Sequence, residues 1–246
     1  MKIALLGYGK MGKEIENLAL SRHHEIVLKI DAFNLHEFTP ENLSRADVAI
    51  DFTTPDSAFS NIMKCFEAGV PVVCGTTGWL NRFDEVKKKC SDLNQTFFYA
   101  SNFSIGMNLF FALNKYLARL MNPMKDYEVS IREIHHVHKL DAPSGTAITL
   151  ANDLIADLDR KEKWELNQAS NPAALKITAV REDEVPGTHT VTYESDVDLI
   201  EITHLAKSRR GLALGAVLAS EFIMGKKGVF TMQDMMKEIW NGGIVE

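Results

Sequence analysis

A glycine-rich loop between a short apolar strand and a helix is the feature that most constrains this chain. The predicted strand is Ile3 to Leu6, the predicted helix is Met11 to Arg22, and the loop has the sequence Gly7-Tyr8-Gly9-Lys10-Met11-Gly12. In this G-x-G-x-x-G spacing, the first glycine permits a tight turn, the second lets the backbone approach a pyrophosphate, and the third lets helix and strand pack closely. The loop therefore predicts dinucleotide binding at the helix N-terminus. A glycine-rich turn without a ligand is the alternative.

Short apolar strands continue to alternate with helical segments as far as residue 100. Further strands are predicted at Glu25 to Ile30, Asp47 to Phe52, Pro71 to Cys74 and Thr96 to Ala100. These runs are apolar on both faces, as expected for strands that helices cover on both sides. The alternation predicts an α/β fold with an N-terminal Rossmann-type parallel sheet.

The pattern changes after the long predicted helix Ile105 to Met121. Strands are then predicted at Tyr127 to His135, Leu175 to Glu182, Thr188 to Glu194 and Leu199 to Ala206. A run of strands with tight turns predicts a second, α+β domain with a mostly antiparallel sheet. The polar segment Asp159 to Pro172 is predicted to be a loop. Two helices are predicted at the end, Gly211 to Met224 and Thr231 to Trp240.

Asp31 ends the second predicted strand and bears on the choice of cofactor. A carboxylate at this position accepts hydrogen bonds from a ribose 2′-hydroxyl and repels a 2′-phosphate. The next residues, Ala32 and Phe33, supply no arginine to neutralise such a phosphate. The sequence therefore favours NADH over NADPH, although Lys10 and Lys13 would permit NADPH if they reach the adenosine end.

Two later strand ends carry small and hydroxyl-bearing residues. Ligands of open α/β sheets bind outside the carboxyl ends of the strands, where such residues allow close approach to a nicotinamide ribose and carboxamide. The candidates are Gly75, Thr76 and Thr77 after the fourth strand, and Ala100, Ser101, Asn102 and Phe103 after the fifth. Each stretch taken alone is also compatible with an ordinary strand-to-helix turn.

The segment Glu133 to Thr146, with the sequence EIHHVHKLDAPSGT, is dense in titratable groups. Histidine titrates near neutral pH, and a lysine beside other cations can have its pKa lowered toward that of a usable acid. Together these groups predict a cationic, acid–base site for an anionic substrate.

The end of this segment leads into an apolar helical run from Ala147 to Leu158. Ser144, Gly145 and Thr146 should therefore lie at a helix N-terminus, where N–H groups and hydroxyls bind a carboxylate. A plain helix cap is the alternative.

A metal site at His135, His136 and His138 is a further alternative, and we expect none. On an extended chain His135 points away from the other two histidines, and Lys139 beside them would repel a cation. For His136 and His138, a purely structural role is also open.

Composition excludes several classes of function. The formal net charge is −6 and no basic run forms a face, so we expect no binding to nucleic acid. No stretch is long and apolar enough for a membrane span, and no signal peptide is recognised at Met1. The odd set Cys65, Cys74 and Cys90 matches no metal motif. These features predict buried free thiols and a cytoplasmic protein.

The motif E-x-H-H-x-x-K-x-D-x-P-S-G-T is complete between Glu133 and Thr146. The glycine loop, IDFTTP, CGTTG, ASNFSIG and the late stretch DLIEITHLAKSRRGLALGA match the same family. On these motifs, nearly the whole chain resembles the dihydrodipicolinate reductases, more fully 4-hydroxy-tetrahydrodipicolinate reductases, of the diaminopimelate route to lysine.

The resemblance implies an oxidoreductase that reduces a cyclic imine dicarboxylate to tetrahydrodipicolinate with NADH or NADPH. Hydride transfer to the ring would be followed by protonation. By the same resemblance, His135 is the general acid/base group, Lys139 donates a proton and holds a carboxylate, and His136 contacts the substrate. Gly145 and Thr146 would grip a carboxylate. The cofactor-binding site would be lined by Gly7 to Gly12, Asp31, Gly75 to Thr77 and Ala100 to Phe103.

The resemblance also implies a homotetramer built through the second domain, with the last helices packing on the nucleotide domain. We therefore expect a dinucleotide-binding domain at residues 1–104 and 212–246, and a substrate-binding and oligomerisation domain at residues 105–211.

Two other functions compete with this one. Another two-domain dehydrogenase, such as a semialdehyde enzyme, would need a nucleophilic cysteine, for which Cys74 is the candidate. A non-catalytic NAD-binding sensor would explain the glycine loop and leave the histidine–lysine segment without a purpose.

Overall fold

The computed structural model describes residues 1–240, and the chain forms two compact units. The first unit contains Met1–Asn108 and the residues from Arg209 onward, and the second contains Leu109–Ser208. Residues 241–246, which fall within the predicted dinucleotide-binding domain, lie outside the described residues. No helix within residues 1–240 has the length and apolar character needed to cross a membrane.

The elements follow in chain order. The strands are β1 (Lys2–Leu6), β2 (Glu25–Ile30), β3 (Val48–Asp51), β4 (Val72–Cys74), β5 (Thr96–Tyr99), β6 (Glu128–His135), β7 (Lys163–Leu166), β8 (Ala174–Arg181), β9 (Thr188–Glu194), β10 (Leu199–Leu205) and β11 (Gly228–Thr231). The helices are α1 (Lys10–Ser21), α2 (Pro40–Leu43), α3 (Pro55–Glu67), α4 (Phe83–Asp92), α5 (Ile105–Met121), α6 (Gly145–Asp157), α7 (Arg210–Phe222) and α8 (Met232–Trp240).

The first unit contains a parallel sheet with the strand order β11-β5-β4-β3-β1-β2. Successive residues of β1 enter two different cores. Ile3 and Leu5 pack with α1 and α7 on one face, and Ala4 and Leu6 pack with α3 and α4 on the other. Helices therefore cover both faces, and the predicted Rossmann-type fold is confirmed.

Glycine allows helix α7 to lie against the end of the fifth strand. A Cβ added at Gly215 would lie 1.7 Å from the main-chain oxygen of Phe103, so no larger residue fits without a shift of the backbone. This contact explains a glycine in the middle of a helix, where it otherwise lowers helix stability.

The edge strand β11 was not predicted. It pairs in parallel with β5 from Gly228 to Thr231, immediately before α8. A strand of four residues directly before an amphipathic helix gives no alternation long enough to be distinguished from the helix start.

The second unit contains a mixed sheet with the order β10-β9-β6-β8-β7. Strand β9 pairs antiparallel with β10 and β6, whereas β8 pairs in parallel with β6 and β7. The prediction of a mostly antiparallel sheet is thus correct for the β9 pairings and wrong for the other two. Helix α6 follows β6 and returns the chain to the same end of the sheet, which makes the next strands parallel.

Strand β7 also corrects the prediction of a loop at Asp159 to Pro172. It has the sequence KWEL, lies at the edge of the sheet and has no fully buried residue. A short edge strand with polar residues has neither the apolar run nor the clear alternation from which strands are predicted.

Candidate active site

The glycine loop has the geometry that its sequence predicts. Gly7 has φ +89°, and a Cβ there would lie 2.1 Å from the main-chain oxygen of Phe52. A Cβ at Gly12 would lie 2.4 Å from the main-chain oxygen of Gly7. Gly9, by contrast, has no neighbour within 4 Å of such a Cβ, and it caps α1 without a side-chain hydrogen bond. The first and third glycines are needed by the fold, and the second leaves its side open to a ligand.

An open cleft of about 390 Å³ lies at this loop. Its lining is Gly7, Gly9, Lys10, Met11, Phe52, Thr53, Pro55, Gly75, Thr76 and Thr77. The glycine loop and the end of β4 are thus brought together, as a ligand at the carboxyl ends of parallel strands requires. The residues after β3 were missed as site candidates, although their position after a parallel strand was a usable signal.

A buried carboxylate organises the floor of this cleft. Asp51 is fully buried and accepts hydrogen bonds from the hydroxyls of Thr53 and Thr76 at 2.8 and 2.7 Å. The amide of Asn61 donates to its other oxygen at 2.9 Å. Burial raises the pKa of Asp51, and these hydrogen bonds act in the opposite direction. The carboxylate therefore fixes the orientation of two hydroxyls, one after β3 and one after β4.

Asp31 lies at the end of β2 and is held by its own turn. One carboxylate oxygen accepts the main-chain N–H of Phe33 at 2.8 Å, and the N–H of Asp31 donates to the Asn34 side chain at 2.8 Å. The Gly7 N–H donates to the main-chain oxygen of Ile30 at 2.8 Å, which joins the glycine loop to this strand end. The position of the Asp31 carboxylate is therefore fixed by the turn that follows β2.

Two groups of predicted cofactor residues are engaged in other contacts. The hydroxyl of Tyr8 donates to Glu16, and the Lys29 ammonium lies 4.8 Å from the centre of the Tyr8 ring. Ala100 and Phe103 are buried, with Phe103 stacked against Phe98 in the core. Within the fifth-strand stretch, Ser101 is exposed and Asn102 is partly exposed.

The second unit has a buried acid–base cluster centred on Glu133. This carboxylate is fully buried, and its two oxygens each accept the Ser144 N–H at 3.1 Å. His135 Nδ1 lies 3.6 Å from one oxygen, and His189 Nε2 lies 3.7 Å from the same oxygen. Arg181 Nη1 lies 3.4 Å from the other. The cluster therefore contains one negative charge among several potential cations.

His189 and Arg181 were not predicted from the sequence as site residues. The sheet register places Glu133 opposite His189 and His135 beside Arg181. Within β9, His189 alternates in phase with the buried residues Val191 and Tyr193. That alternation was a usable signal that His189 faces inward, but it does not identify the strand that it faces.

The surroundings change the protonation of this cluster. Burial alone raises the pKa of Glu133, but interactions with His189, Ser144 and His135 outweigh it and hold the pKa at about 2. Burial lowers the pKa of His135, and His189, Lys139 and Arg181 lower it further against the opposing effect of Glu133, to about 4. At neutral pH the cluster therefore contains a carboxylate and a neutral His135 imidazole.

The remaining residues of the segment lie outside this buried cluster. Lys139 Nζ donates to both carboxylate oxygens of Asp141 at 2.8 and 2.9 Å. The rings of His136 and His138 lie 6.2 Å apart, and His138 lies 3.4 Å from Glu184 at the surface. His135 faces His189 instead, with ring centres 5.0 Å apart.

Helix α6 begins at Gly145, within the stretch Ser144 to Thr146 that the sequence places at a helix N-terminus. Ser144 is its N-cap, and the Ser144 hydroxyl accepts the Ala147 N–H at 3.2 Å and lies 3.1 Å from His189 Nε2. Ser144 is buried, whereas Gly145 is exposed and Thr146 is partly exposed. The Ser144 hydroxyl is therefore engaged in capping the helix. The next two residues are accessible to a carboxylate at the helix N-terminus.

Glu133, His135 and His189 offer three possible metal-ligand atoms within 4.8 Å of one another. Both oxygens of Glu133 already accept the Ser144 N–H, and the Arg181 guanidinium lies beside one of them. The positive charge of Arg181 would repel a metal cation at this place. The geometry suits a proton-handling cluster better than a metal site.

Cys74 does not have the surroundings of a nucleophile. Its thiol is fully buried, and burial together with the nearby Asp51 raises its pKa. A nucleophilic cysteine needs a lowered pKa and access to its substrate. This position therefore does not support a semialdehyde dehydrogenase.

Comparison with known proteins matches both parts of the chain to one family. Residues 1–103 match the family model described as dihydrodipicolinate reductase, N-terminus, and residues 106–236 match the corresponding C-terminus. A 4-hydroxy-tetrahydrodipicolinate reductase of Christiangramia forsetii is 50% identical over 244 residues, covering 98% of this chain and 99% of the relative. One from Neisseria meningitidis serogroup C is 36% identical over 208 residues, covering 79% of this chain and 74% of the relative.

Among solved structures, a dipicolinate-bound dihydrodipicolinate reductase from Paenisporosarcina sp. TG-14 has a similar fold. The TM-score is 0.75 at 23% sequence identity, over 94% of this chain and 97% of that chain.

We expect the His135 imidazole to stay neutral at pH 6 because its pKa is lowered to about 4. The titration can be followed by NMR of the imidazole Cε1–H group and assigned by comparison with His135→Gln. Because folding lowers this pKa, protonation of His135 is costlier in the folded protein, and the free energy of unfolding falls as the pH drops from about 6.5 toward 4. A titration midpoint near 6.5 would contradict the expectation.

Proposed function

This chain belongs to the dihydrodipicolinate reductase family, and we propose how its residues carry out the family's reaction. The reaction reduces 4-hydroxy-tetrahydrodipicolinate to tetrahydrodipicolinate in the diaminopimelate route to lysine. The ring gains a hydride and a proton, and the hydroxyl leaves as water together with a hydrogen from the neighbouring ring carbon. The observation that carries this function is the 50% identity to a reductase of that name over 98% of the chain.

We assign dinucleotide binding to the first unit. The open side of Gly9 and the N-terminus of α1 fit a pyrophosphate, and Thr76 and Thr77 fit the nicotinamide end of the cleft. Bound there, a reduced nicotinamide supplies the hydride. Of the fifth-strand residues, Ser101 and Asn102 retain exposed surface for this role, and Ala100 and Phe103 support them from the core.

We assign the cyclic dicarboxylate to the second unit. Gly145 and Thr146 offer the open N-terminus of α6 to one carboxylate, and Lys139 with His136 supplies positive charge and hydrogen bonds to the ligand. The related structure with dipicolinate bound, a planar ring with two carboxylates, supports this class of ligand.

The two proton-handling residues have different roles in this proposal. Asp141 accepts a hydrogen bond from Lys139 Nζ at 2.8 Å and so orients this group, to which we assign the donation of a proton to the reduced ring. His135 is neutral near pH 7 and therefore has no imidazolium proton to give. We therefore assign it the role of accepting or sharing a hydrogen bond beside the ring, as a base.

Substitutions at these residues should impair turnover without loss of the fold. His135→Gln and Lys139→Ala should each lower kcat by roughly 100- to 10,000-fold, because each removes a proton-handling group. The assay follows NADH oxidation by the purified protein with freshly generated cyclic substrate. His138→Gln, at an exposed histidine of the same segment, is the control and should leave kcat nearly unchanged. Near-normal turnover in both active-site variants would refute the assigned roles.

We further propose that NADH is preferred over NADPH, because the Asp31 carboxylate, directly after β2, would repel a 2′-phosphate on the adenosine ribose. Asp31→Ala should raise the KM for NADH and lower the KM for NADPH, since it removes both a ribose acceptor and a negative charge. Kinetics with each nucleotide at saturating cyclic substrate test this. If the KM values for NADH and NADPH differ but do not change in Asp31→Ala, another residue determines the cofactor preference.

The second unit also supports the proposal of a homotetramer. Apolar side chains of the edge strand β10 are exposed, among them Leu199 at 51% and Leu205 at 57%. Exposed apolar edges are normally covered in the assembled protein. We also propose a cytoplasmic location, where the free thiols Cys65, Cys74 and Cys90 remain reduced.

Light scattering after size exclusion should give four times the chain mass of 27.5 kDa. Leu199→Lys with Leu205→Lys should reduce that mass, because charges on the edge oppose association. A wild-type protein of one chain mass at micromolar concentration would rule out the tetramer.

A further inference from the structure

Arg181, the last residue of β8, connects three parts of the second unit. Its Nη1 lies 3.4 Å from a Glu133 carboxylate oxygen and donates to the main-chain oxygen of Val180 at 2.9 Å. Its Nε donates to the main-chain oxygen of Lys139 at 3.2 Å, and its Nη2 donates to that of Asp141. One guanidinium group thus joins a buried carboxylate to the backbone on either side of Leu140.

The segment that Arg181 contacts has no regular secondary structure. Residues 136–144 lie between β6 and α6 and form neither helix nor strand, and Leu140 within them is 98% exposed. The N–H of Val137 donates to the main-chain oxygen of Asp183 at 3.1 Å, which fixes the start of the segment. Arg181 fixes the part that carries both Lys139 and its partner Asp141.

The same guanidinium connects this segment to the rest of the cluster. Glu133 accepts the N–H of Ser144, the cap of α6, and lies 3.6 Å from His135. The chain of contacts from Lys139 through Arg181 and Glu133 therefore reaches both His135 and the start of α6. The relative positions of the proton donor, the imidazole and the carboxylate-binding helix end all depend on it.

We propose that Arg181 is a positioning residue that sets the place of Lys139 relative to His135 and the N-terminus of α6. This inference rests on the proposed roles of Lys139 and His135. The planar guanidinium presents five N–H donors in a fixed fork, and here they reach acceptors on β6, β8 and the 136–144 segment. A lysine has the charge but cannot reach these acceptors together. Shape, in addition to charge, is therefore required at this position.

The experiment compares Arg181→Lys and Arg181→Ala with the wild-type protein. Both should lower kcat by roughly 10- to 100-fold, the loss expected when a reacting group is displaced by about 1 Å. The KM for NADH should stay within about twofold, since nucleotide binding is assigned to the first unit. Arg119→Ala, at an exposed arginine of the second unit, is the matched control and should leave kcat unchanged.

Guanidinium ions at millimolar concentration should restore part of the activity of Arg181→Ala and have no such effect on Arg119→Ala. Such rescue would show that a guanidinium group at this place, and not the intact side chain, sets kcat. Circular dichroism establishes that each variant is folded, and if Arg181→Ala does not fold, Arg181→Lys carries the test by its kcat.

Several results would overturn the proposal. Wild-type kcat in Arg181→Lys would show that charge alone suffices. An increase in the KM for the cyclic substrate with unchanged kcat would make Arg181 a direct substrate ligand. A wild-type protein that binds NADH but does not oxidise it with the cyclic dicarboxylate would instead refute the proposed function, so the two failures are distinguishable.

Discussion

The second unit depends on keeping one buried carboxylate charged. An isolated carboxylate in the interior would cost several kcal/mol, and it persists only when neighbours supply hydrogen bonds and positive charge. Around Glu133, the Ser144 N–H supplies hydrogen bonds and the Arg181 guanidinium supplies positive charge, and the imidazoles of His135 and His189 lie 3.6 and 3.7 Å away. Each belongs to a different part of the unit, so the need to satisfy one charge ties β6, β8, β9 and α6 together. The charge also keeps the candidate acid–base residues in one place.

A second buried carboxylate has a comparable position in the first unit. Asp51 gathers Thr53, Thr76 and Asn61 at the carboxyl ends of β3 and β4. The hydroxyls that it orients line the cleft beside the glycine loop. In both units, therefore, a buried acid orders the groups around it through hydrogen bonds that its burial makes costly to break.

The protonation of the cluster also narrows the chemistry. In the proposed roles, a neutral His135 acts as a weak base and a paired Lys139 acts as the cationic donor. The same cations that lower the pKa of His135 attract a dicarboxylate. The features that make the site suitable for an anionic substrate thus also keep the imidazole in its neutral form.

The sequence by itself determined those features that depend on residues close together in the chain. The glycine loop, the alternation of strands and helices in the first unit, and the start of α6 at Gly145 follow from steric limits, periodicity and capping within short windows. Only the tertiary structure decided that β6 lies between β8 and β9, and that Glu133 therefore meets His189 and Arg181, which lie far along the chain. It also decided that Tyr8 pairs with Glu16 and that Phe103 belongs to the core. Strand order and register result from packing between distant segments, and no local pattern contains that information.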